Sequence, residues 1–136
     1  METLLQRSVE AQHPAALHCM AERALREAVE KGSSSRAASK YWKKAVSYYE
    51  SAAALGHPPS LCQLGAWYRD GFPEGGIAQD YYKALDYYTE ATELDYVDAW
   101  KELAVFYDQG LGVMVDKAHA AYLVDLAQMV EQSGQN

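Results

Sequence analysis

The stretch Ala45-Val46-Ser47-Tyr48-Tyr49-Glu50-Ser51-Ala52 returns 39 residues later as Ala84-Leu85-Asp86-Tyr87-Tyr88-Thr89-Glu90-Ala91. At the same offset Leu64-Gly65-x-Trp67-Tyr68 becomes Leu103-Ala104-x-Phe106-Tyr107, and Gly71 becomes Gly110. A further copy follows at offset 36, where Gly76-Ile77-x-x-Asp80 maps to Gly112-Val113-x-x-Asp116, and Ala84 and Ala91 map to Ala120 and Ala127. The change of offset is confined to the glycine loop, since Gly71 to Gly76 is longer than Gly110 to Gly112. Repeats of this size that vary only in a loop are the signature of a stacked array, in which each unit buries its apolar face on its neighbours. A weaker copy lies upstream at offset 44, where His13-Pro14-x-x-Leu17-x-x-Met20-Ala21 matches His57-Pro58-x-x-Leu61-x-x-Leu64-Gly65. Its extra length falls around the loop-like run Gly32-Ser33-Ser34-Ser35.

Each unit reads as two helices. Tyr81, Ala84, Tyr87, Tyr88, Ala91 and Leu94 share one side of a helix, while Lys83, Asp86, Thr89 and Glu90 point away. Leu61, Leu64, Gly65 and Tyr68 follow at i, i+3, i+4 and i+7. Small residues at Ala21, Gly65, Ala84, Ala91 and Ala104 allow close helix approach. Gly56-His57-Pro58 forms the turn within a pair, because proline fits a first helical turn. Asp80 and Asp116 stand where an N-cap or first-turn acid belongs. The expectation is an all-α fold, an α/α superhelical solenoid of antiparallel helix pairs. Seven helices are expected, near residues 3–11, 15–30, 37–55, 59–70, 80–94, 97–108 and 116–132. Residues 1–36 form a divergent helix pair with the Ser-rich loop, and residues 37–136 form the regular repeats with a closing helix, all in one continuous domain.

The run Gly110-Leu111-Gly112-Val113-x-x-Asp116-Lys117-Ala118 resembles the Gly-x-Gly-Val-x-x-Asp loop that joins Sel-1-like repeats, relatives of tetratricopeptide repeats. Gly76 to Ala91 resembles that loop with the repeat's first helix, and Gly56-His57-Pro58 through Gly71 resembles its turn and second helix. The resemblance covers roughly residues 37–127, and it makes Gly65, Gly71, Gly76, Asp80, Ala84, Gly110, Gly112 and Asp116 its structural positions. It implies a bacterial adaptor that assembles protein complexes without catalysis or cofactors. Some members tie each helix pair with a disulfide, and this chain lacks the paired cysteines that would do so.

The 136 residues carry a net charge of -7, unevenly spread. Residues 1–44 hold eight Lys/Arg against five Glu, and residues 45–136 hold four against fourteen Asp/Glu. Most of the surface should therefore repel phosphate, which argues against nucleic acid as a partner and for basic protein or peptide segments. Cys19 and Cys62 form no metal or redox motif, so free thiols in the cytoplasm are the expectation. Removal of a signal peptide would make the periplasm the alternative. No apolar run approaches the ~20 residues of a membrane span.

The sequence shows no catalytic pattern. His13, His18, His57 and His119 form no i, i+4 pair, and no GxSxG or HExxH occurs. The glycine loops lack the GK[ST] ending of a phosphate cradle. Asp86, Glu90, Glu93, Asp95, Asp98 and Glu102 form the densest acidic stretch, read as a solvated face rather than a metal site. Tyr48, Tyr49, Tyr68, Tyr81, Tyr87, Tyr88 and Tyr107 fall on core-facing stripes, whereas Tyr82 points outward. In the last helix Ala120, Leu123, Val124, Ala127 and Val130 are expected in the core. Ala118, Tyr122, Leu126 and Met129 line the other side, too apolar for a face in water.

The candidate partner-binding residues are thus Tyr82, Asp86, Glu90, Tyr122, Leu126 and Met129, with the last three as a partner or homodimer interface. No catalytic or metal residue is assigned. The functional expectation is a non-catalytic protein–protein interaction adaptor. The alternative is a small dedicated chaperone or inhibitor of one protein.

Overall fold

A computed structural model describes residues 13–32 and 35–134. Six helices follow one another: α1 (Pro14–Glu30), α2 (Arg36–Ala54), α3 (Pro58–Asp70), α4 (Tyr81–Glu93), α5 (Val97–Gln109) and α6 (Lys117–Gly134). They fall where the periodicity places them, and the helix expected near 3–11 lies outside the described residues. Each helix packs on the next along the chain, giving a solenoid of antiparallel pairs. The described residues contain no strand, only an isolated bridge between Phe72 and Ile77.

The helix starts follow the sequence signals. Pro14 and Pro58 open their helices, where a missing N–H costs nothing. Asp80 accepts the N–H groups of Tyr82 at 3.0 Å and Lys83 at 3.2 Å, and Asp116 accepts that of His119 at 2.9 Å. Ser35 caps α2 through the Ala38 N–H. The longer glycine loop makes a short 3₁₀ turn, Pro73–Gly75, closed by mutual hydrogen bonds between Phe72 and Ile77. Its Phe72 ring stacks on Trp67 and meets Trp42 edge-on, which pins the loop to α2.

The core repeats as the sequence does. Tyr49 of α2 meets Trp67 of α3 at 5.1 Å, and 39 residues on, Tyr88 of α4 meets Phe106 of α5 at 5.7 Å. Tyr49 and Tyr88 are 2% and 1% exposed. Gly65 makes room for the second pair, since a Cβ there would stand 2.8 Å from the Tyr88 ring. The other core-facing tyrosines, Tyr48, Tyr68, Tyr81, Tyr87 and Tyr107, are partly buried against the same core.

The last helix corrects the expected register. Ala120, Leu123 and Ala127 are buried, but Val124 is 41% exposed. Leu126, expected on the outer face with Tyr122 and Met129, is instead half-buried against the core. The buried stripe of α6 is narrow because no further helix among the described residues covers the Val124 edge, and Leu126 closes its other edge. Leu94 also leaves the core, because α4 ends at Glu93 and Leu94 sits exposed in the cap.

Candidate functional site

The first helices of the repeats, α2, α4 and α6, are related by the repeat register, and that register unites the candidate residues. Tyr82, Asp86 and Glu90 stand at i, i+4 and i+8 on α4, and all are exposed. Thirty-six residues on, the same positions of α6 are Ala118, Tyr122 and Leu126. On α2 they are Lys43, Ser47 and Ser51. Tyr122 and Leu126 are therefore the α6 copies of Asp86 and Glu90, and Met129 is the copy of Glu93, in a register that is basic and hydroxylic on α2, acidic on α4 and apolar on α6. Tyr82 is 72% exposed, Tyr122 56% and Met129 62%.

At its centre lies a groove of about 250 Å³ lined by Tyr68, Lys83, Asp86, Tyr87 and Glu90. Tyr68 of α3 and Tyr87 of α4 stack with ring centroids 5.6 Å apart and planes 17° from parallel. The Lys83 ammonium sits over the Tyr68 ring at 5.3 Å from its centroid. Burial pushes the Tyr87 phenol up, and the nearby Tyr68, Glu50 of α2 and Glu90 push it further. Glu50 thus adds to the acidic field of the same groove from the neighbouring repeat. Of the candidate residues, Asp86 and Glu90 line the groove. Tyr82 and the α6 residues do not line it.

The groove's rings and its cation were not legible as site residues. Tyr68 and Tyr87 read as core from their spacing, and they do pack on the core, but each leaves one edge open. The register holds the available signal. Lys83 over Tyr68 is matched by His119 against Tyr107, 36 and 39 residues on, with ring centroids 4.4 Å apart. Tyr87 has a copy in Tyr48 of α2, but the α1 counterpart of Tyr68 is Ala24, and the α6 counterpart of Tyr87 is the buried Leu123, so the stacked pair is particular to the central repeat.

A second polar cluster was also missed. The fully buried Ser60 hydroxyl lies 3.1 Å from Nδ1 of His18 and 2.8 Å from Nδ1 of His57. His18 Nε2 meets Glu22 at 2.6 Å. The order Glu–His–Ser suggests a nucleophile, but no substrate reaches a serine with 0% exposure. The cluster clamps α1 to the α2–α3 turn. One hydroxyl proton serves two imidazoles, so one ring nitrogen must donate. Burial, then His18, lowers the His57 pKa below the ordinary 6.5. The unfolded chain therefore binds this proton first, and stability falls as pH drops from about 6.5 through the folded value. Thermal midpoints of wild type and His57→Gln are expected to converge across that interval. A gap that is constant with pH would remove the clamp's titration from the account.

The remaining chemistry is structural. Burial, then Asp98 and Glu102, pushes the Cys62 thiol up to about 12, so it is no nucleophile near neutrality. Arg69 pairs with Asp70 at 3.0 Å and with Glu102, tying α3 to α5. Cys19 and Cys62 are both free. Among the described residues no group of three or more His, Cys, Asp or Glu is placed to hold a metal ion. No helix among them is long and apolar enough to cross a membrane.

Among solved structures, a protective antigen of uropathogenic Escherichia coli strains displaying an SLR fold matches at 27% identity and a TM-score of 0.74. The match covers 92% of this chain and 24% of that one, so the chain spans about a quarter of that protein's length. A Sel1 repeat protein from Oxalobacter formigenes matches at 25% identity and a TM-score of 0.70, over 93% of this chain and 88% of that one. A search of curated proteins gives no match. Sel1 repeat proteins are generally protein-interaction scaffolds. The Sel1 repeat model itself matches residues 43–57, 58–96 and 101–127, more than half of the chain, and with the repeated Tyr–aromatic core and Asp-capped first helices it establishes that the chain belongs to the Sel1 repeat family.

Proposed function

We propose that the chain is a non-catalytic adaptor that holds a basic peptide segment of a partner protein across its first-helix face. The groove of Tyr68, Tyr87, Asp86 and Glu90 carries this reading. An Arg or Lys side chain entering it lays its stem along the tyrosine rings and brings its charge to two carboxylates one helical turn apart. Glu50 extends the attraction toward α2, and the exposed Tyr82, Tyr122 and Met129 supply apolar contact on either side. The free thiols fit a reducing compartment, which we take as the cytoplasm. The exposed rings and thioethers of α6 and its preceding loop, including Met114 at 89%, favour one second reading, a dedicated chaperone or inhibitor of a single protein.

The test is fluorescence polarisation with a labelled Arg-rich decapeptide and its Glu-substituted counterpart. The basic peptide is expected to bind and the acidic one not to. Asp86→Lys with Glu90→Lys should weaken binding about tenfold or more, and raising salt should weaken it in wild type. Equal binding by wild type and the double variant would sink the proposal.

A further inference from the structure

Among the described residues, α6 stands without the second helix that the other first helices have. Tyr49 and Tyr88 are each covered by the second helix of their own unit, through Trp67 of α3 and Phe106 of α5. The residue in the same position of α6 is Val124, and no helix among the described residues covers it. Around it Ala104, Val105, Ala120 and Ala121 join Val124 in an apolar groove of about 360 Å³ between α5 and α6. Ion pairs flank that groove, Lys117 with Asp108 at 3.1 Å and Lys101 with Glu131 at 2.6 Å. The corresponding surface of α3–α4 is where α5 lies, with Arg69 paired to Glu102.

We propose that the α5–α6 groove receives α1 of a second copy of this chain, head to tail. Two observations select this occupant. The first is continuity with the interface inside the chain. By the repeat offsets α1 is the counterpart of α3 and α5, and its Arg23 stands where Trp67 and Phe106 stand. Arg23 is exposed, as are Ala15, Cys19 and Arg26 on the outer side of α1. Its stem covers Val124 and its guanidinium reaches Asp108, which replaces the Arg69 of the preceding repeat.

The second observation is charge. Residues 14–44 hold seven Lys/Arg against three Glu, whereas residues 97–134 hold two Lys against six Asp/Glu. The two ends thus carry opposite net charges of equal size. Complementary charge both steers such an encounter and disfavours the head-to-head arrangement. A contact between two different surfaces leaves a free surface of each kind, so assembly continues beyond a dimer. This surface is distinct from the first-helix face, so each can fail without the other.

Sedimentation velocity over a concentration series tests it. Wild type is expected to rise above the monomer mass of 15.1 kDa, to keep rising, and to fall back in about 0.5 M salt. Val124→Glu blocks the groove, and Arg23→Glu with Arg26→Glu blocks the helix, so each variant alone should remain monomeric. Mixed in equal amounts they retain one intact surface of each kind, and should pair at twice the monomer mass without further growth. Ala121→Glu, at a second exposed groove position, should repeat the Val124→Glu result, and circular dichroism checks that all variants fold. A wild type monomeric at every concentration would make α5–α6 a plain terminal cap and overturn the proposal. So would association that survives Val124→Glu, association lost on Tyr122→Glu instead, or a mixture that fails to pair.

Discussion

Tyr88→Ala is expected to lower the unfolding free energy by about 3–5 kcal/mol, the range for emptying an aromatic site in a core. The ring is 1% exposed and is bounded by Gly65 of α3 on one side and by the fully buried Phe106 of α5 on another. Neither can collapse into the void. Gly65 has no side chain to move, and Phe106 is held by Tyr81 as well, at 6.1 Å. Domains of this size have about 5–15 kcal/mol in total, so the loss is a large fraction. It also falls at one joint. A solenoid is held together by contacts between neighbours, and Tyr88 is the main aromatic link from α4 to α5. The amides of α5 and α6 should therefore lose protection from hydrogen exchange before those of α2 and α3. Tyr88→Phe keeps the ring and should cost less than about 1.5 kcal/mol. Urea unfolding followed by circular dichroism measures both, and a loss below that figure for the alanine variant would show that the joint does not depend on the ring.

The pair Tyr49 and Tyr88 shows why so much of the fold could be read from sequence. Every described helix start except that of α5 coincides with a proline or a capping side chain, and many buried positions recur in the next copy. Periodicity and capping are local, and the repeat register supplies the long-range contacts. The candidate groove was harder to read. Tyr68 and Tyr87 obey the core pattern and are packed on the core, so no period distinguishes a ring that is covered from one with an open edge. The difference arises between helices, from the 17° stack across α3 and α4. Val124 and Leu126 lie on the sides opposite to those the repeat register predicts, for a related reason. The repeat register presupposes a following helix, and α6 has none among the described residues. His18 and Ser60 lie 42 residues apart with no shared motif, so only the folded chain brings them together.

Gly76 and Gly112 occupy the same place in the repeat, yet their substitution is expected to have unequal effects. Both have positive φ, +80° and +70°, where an L side chain strains the backbone by about 1–2 kcal/mol. No atom lies within 4 Å of a Cβ built on Gly76, so Gly76→Ala should cost only that strain. At Gly112 the added Cβ would stand 2.9 Å from Tyr81 Cβ and 3.4 Å from Leu85 Cδ1. The first of these is fixed to the backbone of α4 and cannot swing aside. Overpacking of about 1–3 kcal/mol therefore adds to the strain, and Gly112→Ala should lose about 2–5 kcal/mol. The glycine motif thus serves two ends. At Gly76 it turns the chain, with the longer loop fastened to α2 by Phe72. At Gly112 the shorter loop has no such ring, and the bare backbone itself is the contact that seats the third repeat on α4. Weakening that contact should loosen α6 along with the apolar part of the first-helix face. Urea midpoints of the two alanine variants decide the matter, and equal losses would mean that the close approach to Tyr81 contributes nothing.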